Sequence, residues 1–345
     1  MTTPLREPLR LAVGLVAFAS VIVILGAMML AKAIVGPFLL AAFGSIIFSS
    51  PMFWLQKKGC PKWIAFIVVV LVLFLGGLVL GGLLGSSVQS FSDNATFYET
   101  EIRQHISEAD EMIEKKLAQF GIQNLQLKLS DTINVGFVMK FIVKMLNTLV
   151  NMLANGLLIF IIMMFMLLEA STLPRKIQKI TESKENGLIP YQKFLQDIRY
   201  YMNIKLIISL ITGLCVYIFV CCMRLEYALL WALLAFILNF VPNIGSLIAM
   251  VPPAVLSFIE NGYKQALIIL LGYVVINFVM GNMIEPRWMG KGLGLSTMVV
   301  FVSLIFWGWI LGPIGMLLAV PLMVMFKAAL ETNETTRWIS IILGE

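Results

Sequence analysis

Residues 227–259 are apolar nearly throughout and are interrupted near the middle by Asn239, Pro242, Asn243 and Gly245, with Pro252 and Pro253 following closely. As one helix this run would reach about 50 Å, too far for a single crossing of about 30 Å of hydrocarbon. It is also somewhat short for two full crossings and a turn. Pro242 removes a backbone donor and collides with the carbonyl four residues earlier, so no straight helix passes through it. Residues 295–327 repeat the pattern, with the break at Gly312-Pro313-Ile314-Gly315. The segment Ile244-Gly245-Ser246-Leu247-Ile248-Ala249-Met250 aligns with Ile314-Gly315-Met316-Leu317-Leu318-Ala319-Val320 at an offset of 70 residues. In lipid every backbone group freed by such a break needs a partner. The expectation is two proline-broken re-entrant hairpins, dipping into a bilayer from opposite sides.

Composition puts the whole chain in that solvent. Charged residues make up 13% against about 25% in a soluble domain, with 60% hydrophobic residues and a mean hydropathy of +0.94. The net charge of +6 is spread over short loops, with no basic block or basic-aromatic interleaving, so nucleic acid is not an expected partner. Cys60, Cys215, Cys221 and Cys222 form no ligand or disulfide framework and read as small apolar packing residues. The single histidine, His105, excludes a multi-histidine metal site and reads as a solvated side chain. No metal and no cofactor is expected.

Taken in order, apolar runs at 11–30, 38–55 and 63–88 give three spans within an N-terminal region 1–88. The first run is too long for a signal h-region of about 7–15 residues, so it is expected to be retained. Gly76, Gly77, Gly81, Gly82 and Gly85 on the third suggest close helix packing. Residues 89–145 carry eight acids and six bases. There Ile102, Ile106, Ala109, Ile113, Leu117 and Phe120 make one apolar stripe, as in an extracytoplasmic amphipathic arm. Region 146–203 holds a fourth span and a loop; residues 171–205 have seven bases and three acids, with Phe194, Ile198 and Tyr201 on a short amphipathic helix. Positive-inside bias places that loop, the Lys57–Lys62 loop and both termini in the cytoplasm.

Region 204–330 then reads as a transport core: a span and a broken hairpin, twice over, with the two copies in opposite orientation. Region 331–345 is a cytoplasmic tail. The fold expected is all-α, a polytopic membrane protein of about six to eight transmembrane helices with its two hairpins in an inverted repeat. Paired interrupted segments of this kind point to a substrate site.

No nucleotide-binding, nucleophile-elbow or zincin motif is present, and the glycines of 290–294 are not set between a strand and a helix, so an enzyme is not expected. Transport would draw on an ion gradient, the membrane potential or the solute's own gradient. Polar side chains at membrane depth are few. Asn239, Asn243, Ser246, Asn277 and Asn282, with Pro242, Gly245, Pro313 and Gly315 at the breaks, are the expected substrate path. Asparagine amides suit a neutral hydroxylated solute; Asn239 and Asn243 also suit helix capping, and the two roles are compatible. Glu285 and Arg287 are candidates for coupling or gating, as a pair around Pro286. Lys205, at a span end, reads as a snorkelling side chain.

The segments PNIGSLIAMVPP, GNMIEPRWMGKGLGLS and LIFWGWILGPIGMLLAVPL, with FMLLE and ISLITGL before them, resemble the autoinducer-2 exporter family of bacterial inner-membrane transporters. The resemblance is densest over 200–330 and lies nearest the autoinducer-2 branch. It implies a secondary transporter exporting a small, polar quorum-sensing signal, and a homo-oligomer in lipid. Other members are described as sodium/proton antiporters, which keeps open a monovalent cation/proton antiporter using Glu285, or a carrier of another small solute.

Overall fold

The computed structural model describes residues 6–119, 134–170, 189–242, 244–289, 294–331 and 336–344. The described residues are helical wherever they are regular, with no strand among them. In chain order the helices are α1 (Arg6–Leu30), α2 (Lys32–Lys57), α3 (Lys62–Asp93), α4 (Ala95–Gln119), α5 (Val135–Ala154), α6 (Gly156–Ala170) and α7 (Ile189–Cys222). There follow α8 (Ala228–Leu238), α9 (Ile244–Phe278), a π-helical turn Val279–Ile284, α10 (Glu285–Met289), α11 (Thr297–Leu311), α12 (Pro313–Glu331) and α13 (Arg337–Ile342). Six helical stretches among the described residues are long and apolar enough to cross a bilayer. The chain is a polytopic, all-α membrane protein.

One of those stretches, Ile244–Met289, runs for 46 residues, about 69 Å at the helical rise. It is not one rod. Gly262 takes φ 78° and ψ −179° in the polar sequence Glu260-Asn261-Gly262, a conformation costly to any residue with a Cβ, and divides α9 into two legs.

Two compact units share the chain. The first comprises Met1–Phe53, Leu158–Met202 and Lys291–Glu345. Its centre is the α11–α12 hairpin, joined at Gly312 with φ 68°. Ser296 caps α11 by accepting from the Val299 N–H at 3.3 Å. Deeper down, the buried Ser303 donates to the Ala319 carbonyl at 3.0 Å and ties the two arms together. A Cβ on Gly315 would overlap the carbonyl oxygen of Trp307, so glycine is what lets the arms close. At the other end Lys327 reaches the Gly294 carbonyl at 2.5 Å. The Ser296 N–H bonds the Leu343 carbonyl, which brings the C-terminal α13 back to the start of α11.

The second unit comprises Trp54–Leu157 and Asn203–Gly290. Its hydrophobic core runs from Leu84, Val88 and Phe91 of α3 through Ile102 and Ile106 of α4 and Ile142 and Leu146 of α5 to Trp231 and Leu234 of α8. The arm's apolar stripe is therefore buried at Ile102 and Ile106, while the side chains of Ile113, Leu117 and Phe120 lie outside the described residues. Phe91 meets the Trp231 ring edge-on at 5.7 Å and the Tyr227 ring at 6.2 Å. Burial and the neighbouring Tyr227 push the Tyr98 phenol above its ordinary range.

Three expectations change. The glycines of α3 face open space, with nothing within 4 Å of a Cβ built on Gly76, Gly77, Gly81, Gly82 or Gly85. The packing face of that helix is instead its large apolar residues Leu84, Val88 and Phe91. Cys221 and Cys222 are exposed rather than packed. His105 sits edge-on to Phe258 at 5.7 Å and its side chain is 33% exposed, so it is partly packed rather than fully solvated. Helix α5 runs without interruption across residues 145 and 146, and the chain turns at Asn155.

A buried polar column on helix α7

Helix α7 organises the second unit because its buried face touches a helix on each side. On one side Phe219 lies where a Cβ on Gly272 would fall, and Gln265 donates to the Met223 carbonyl at 2.6 Å. Lys205, further back along α7, meets Glu285, further on along the other chain segment. These three contacts define an antiparallel pair made by α7 and the second leg of α9 with its π-helical turn. On the other side Gly213 accepts α8 closely, with the Ala232 carbonyl and Phe236 beside it, and Ser209 meets Asn239. Helix α8 is thus a second antiparallel neighbour.

On that face Lys205, Ser209 and Thr212 follow one another at helical spacing and are all buried. Thr212 returns its hydroxyl to the Ile208 carbonyl at 2.8 Å. Asn239 donates its amide to the Ser209 hydroxyl at 2.9 Å. Lys205 donates to both carboxylate oxygens of Glu285, at 2.7 and 2.8 Å. The lysine side chain is 3% exposed and the carboxylate 21%. A charge pair and an amide–hydroxyl pair therefore stand one helical turn apart, about 6 Å of rise, inside an apolar bundle.

Lys205 is the residue that sequence reasoning misjudged. A snorkelling lysine keeps its ammonium in water; here the ammonium is buried and paired. The only sequence signal was an acid at comparable depth, and the nearer basic residue, Arg287, drew that pairing to itself. Arg287 is exposed and takes no part in it.

The other expected path residues separate. Asn277 is half-buried and donates back to its own helix, to the Tyr273 carbonyl at 2.8 Å. Asn282 is exposed on the π-helical turn, and Ser246 is half-buried at the start of α9. Pro242 is half-buried at the break, where the Ile244 N–H bonds its carbonyl at 2.6 Å. Gly245 is buried, and a Cβ there would overlap the Leu238 carbonyl oxygen. Pro313 opens α12 and is exposed, and Gly315 is buried; both belong to the first unit. Asn243 and the glycine run 290–293 lie outside the described residues.

Among the described residues no three His, Cys, Asp or Glu side chains come together to hold a metal ion. An open groove of about 600 Å³ lies between α4 and α5, lined by Glu99, Met139, Lys140, Lys144 and Asn147 among others. None of the expected path residues lines it.

The family model described as AI-2E family transporter matches residues 18–334. The chain belongs to this family. It is 35% identical to the AI-2 transport protein TqsA of Escherichia coli K12 over 324 residues, covering 94% of this chain and 93% of that protein. A putative transport protein of Haemophilus influenzae is 34% identical over 345 residues, 99% of each chain. The putative transport protein YhhT of Escherichia coli K12 is 32% identical over 330 residues, 96% of this chain and 93% of the other. This AI-2E family transporter thus presents its buried polar column beside relatives that are named as transport or putative transport proteins.

Proposed function

We propose that this protein is a secondary transporter that exports a small polar signal of the autoinducer-2 kind across the bacterial inner membrane, without a catalytic step. The observation that carries the proposal is the Asn239–Ser209 pair, neutral hydrogen-bonding groups at the hairpin break, one turn from a buried ion pair. A hydroxylated solute can exchange with such a pair, because each group offers both donor and acceptor positions. The 35% identity to a protein named for AI-2 transport supports the choice of solute class.

Asn239 is then the principal solute contact of the path Asn239, Pro242, Asn243, Gly245, Ser246, Asn277, Asn282, Pro313 and Gly315. The α8–α9 and α11–α12 pairs are read as re-entrant hairpins. In support, α8 has only 11 residues, and Asn239 meets α7 about 20 Å of helix before Cys222, short of the roughly 30 Å of hydrocarbon. Inverted repeats of this kind alternate access by moving one unit against another. Both termini are assigned to the cytoplasm from charge bias, and a homo-oligomer follows from the family resemblance.

The antiporter alternative is weaker on one observation. Both oxygens of Glu285 are engaged by Lys205, so an alkali cation would have to displace an ammonium at 2.7 Å. The test is efflux of autoinducer-2 from reconstituted vesicles, with and without a proton gradient. Asn239→Ala at equal folded protein should cut efflux at least tenfold. Efflux at the unaltered rate, or sodium-dependent proton movement in its place, overturns the proposal.

A further inference from the structure

Glu285 reaches Lys205 only because the helix carrying it is irregular just before it. The backbone N–H of Glu285 donates to the Met280 carbonyl, five residues back, where an α-helix would use Gly281. The turn Val279–Ile284 therefore holds one more residue than an α-helical turn. Pro286 follows at once, and its ring would press on the Asn282 carbonyl in a regular helix. An extra residue turns everything after it by one position, about 100°. If the turn relaxed to α geometry, Ile284 would come to the place Glu285 holds, and the carboxylate would swing off α7.

We propose that the Lys205–Glu285 pair and this wide turn form a register switch, closed in the state described here and open when the turn becomes α-helical. The proposal rests on the chain acting as a carrier, since a switch needs a cycle to serve. Helix register shifts are a known form of two-state change, and π-turns are frequent at functional sites. The environments of the two partners fit the role. Lys205 is anchored on a packed helix and 3% exposed, whereas Glu285 is the more exposed partner at 21%. Gly281, inside the turn, has nothing within 4 Å of a Cβ position, so that position is not held by a neighbour, whereas Met280 beside it is buried and would have to repack. Once the carboxylate leaves, the buried ammonium needs another acceptor, and a solute hydroxyl or water entering beside Ser209 supplies one. Solute entry and the register change then favour each other. The opposing possibility is that the turn merely accommodates Pro286 and never changes.

Deleting Gly281 separates the two. With one residue fewer the segment becomes α-helical while Glu285 stays opposite Lys205, so the switch is fixed closed. The expected result is a folded protein whose autoinducer-2 efflux falls at least tenfold; efflux within twofold of the unaltered protein overturns the proposal. Should the deletion variant not fold, hydrogen exchange on full-length Lys205→Met decides. Amides of residues 280–285 should exchange at least tenfold faster than in the unaltered protein, with α8 unchanged, and equal rates overturn the switch. If the unaltered protein moves no autoinducer-2 at all, the solute assignment fails, and the exchange measurement still judges the switch.

Discussion

Lys205 holds both carboxylate oxygens of Glu285 across 80 residues of sequence, and the two partners differ sevenfold in exposure, 3% against 21%. That asymmetry predicts unequal costs when the pair is broken. Glu285→Leu strands a buried ammonium, for which about 3–5 kcal/mol is the usual penalty. Lys205→Met leaves a carboxylate that is less enclosed by protein than the ammonium, so its cost should be clearly smaller. The double variant Lys205→Met/Glu285→Leu should recover most of the loss, because a buried ion pair exchanged for apolar groups is often close to neutral. Thermal midpoints in detergent, read as a double-mutant cycle, check this. Equal costs for the two single variants would contradict the burial on which the prediction stands.

Gly245 and Gly315 occupy matching places in the two hairpins, and at each a Cβ would overlap a carbonyl oxygen of the preceding helix. Backbone cannot step aside as a side-chain end can. Gly245→Ala and Gly315→Ala should each cost about 1–3 kcal/mol as overpacking substitutions. Gly81→Ala on α3 has nothing within 4 Å of its Cβ and should be neutral or stabilising by up to about 1 kcal/mol, through helix propensity alone. The three thermal midpoints form one experiment with an internal control. A comparable loss at Gly81 would mean that a second copy of the chain covers that face.

The hairpin breaks were legible in the sequence because their cause is local. Proline alone does not mark a break, since Pro37, Pro51, Pro252, Pro253 and Pro321 all lie inside helices. At 239–245 and 312–315 proline is combined with glycine or asparagine, which together disfavour a continued helix, and the 70-residue repeat carried the two matching glycines with it. The ion pair was not legible, since Lys205 becomes buried only through α7 packing against a segment 80 residues away. The π-turn has no residue code of its own, and Pro286 announced a disturbance without saying which. The glycines of α3 misled for the opposite reason. Small-residue spacing permits close approach, but it does not supply the neighbour that approaches.

The turn between α7 and α8 predicts a localised effect. Arg224 and Tyr227 both lie at positive φ, 54° and 57°, a costly conformation for non-glycine residues that persists only when its surroundings enforce it. Trp231 is fully buried and donates its indole N–H to the Glu226 carbonyl at 2.9 Å, inside this turn. Trp231→Phe keeps the ring contact with Phe91 but leaves that carbonyl without its donor, at about 1–3 kcal/mol. Hydrogen exchange should rise around residues 223–227, with Lys205 and its neighbours unaffected. An even rise over the whole unit would indicate general loosening rather than a released turn.

Gly272 and Phe219 yield the last prediction. The ring of Phe219 occupies the space a Cβ on Gly272 would need, at the level where α7 and the second leg of α9 approach each other. The obstacle is the far end of a side chain, so the conflict is pairwise and can be relieved from either partner. Gly272→Val should destabilise by about 1–3 kcal/mol through overpacking. Phe219→Leu alone should also destabilise, by opening space beside the glycine. Combined, the two changes exchange volume across one contact, and the cost of the pair should fall below the sum of the singles by at least about 1 kcal/mol, as contacting positions commonly do. Additive costs would show that Gly272 is held by something other than this ring. The same contact lies between the helices that carry Lys205 and Glu285, so on the function proposed above solute efflux should fall in Gly272→Val and return in the double variant.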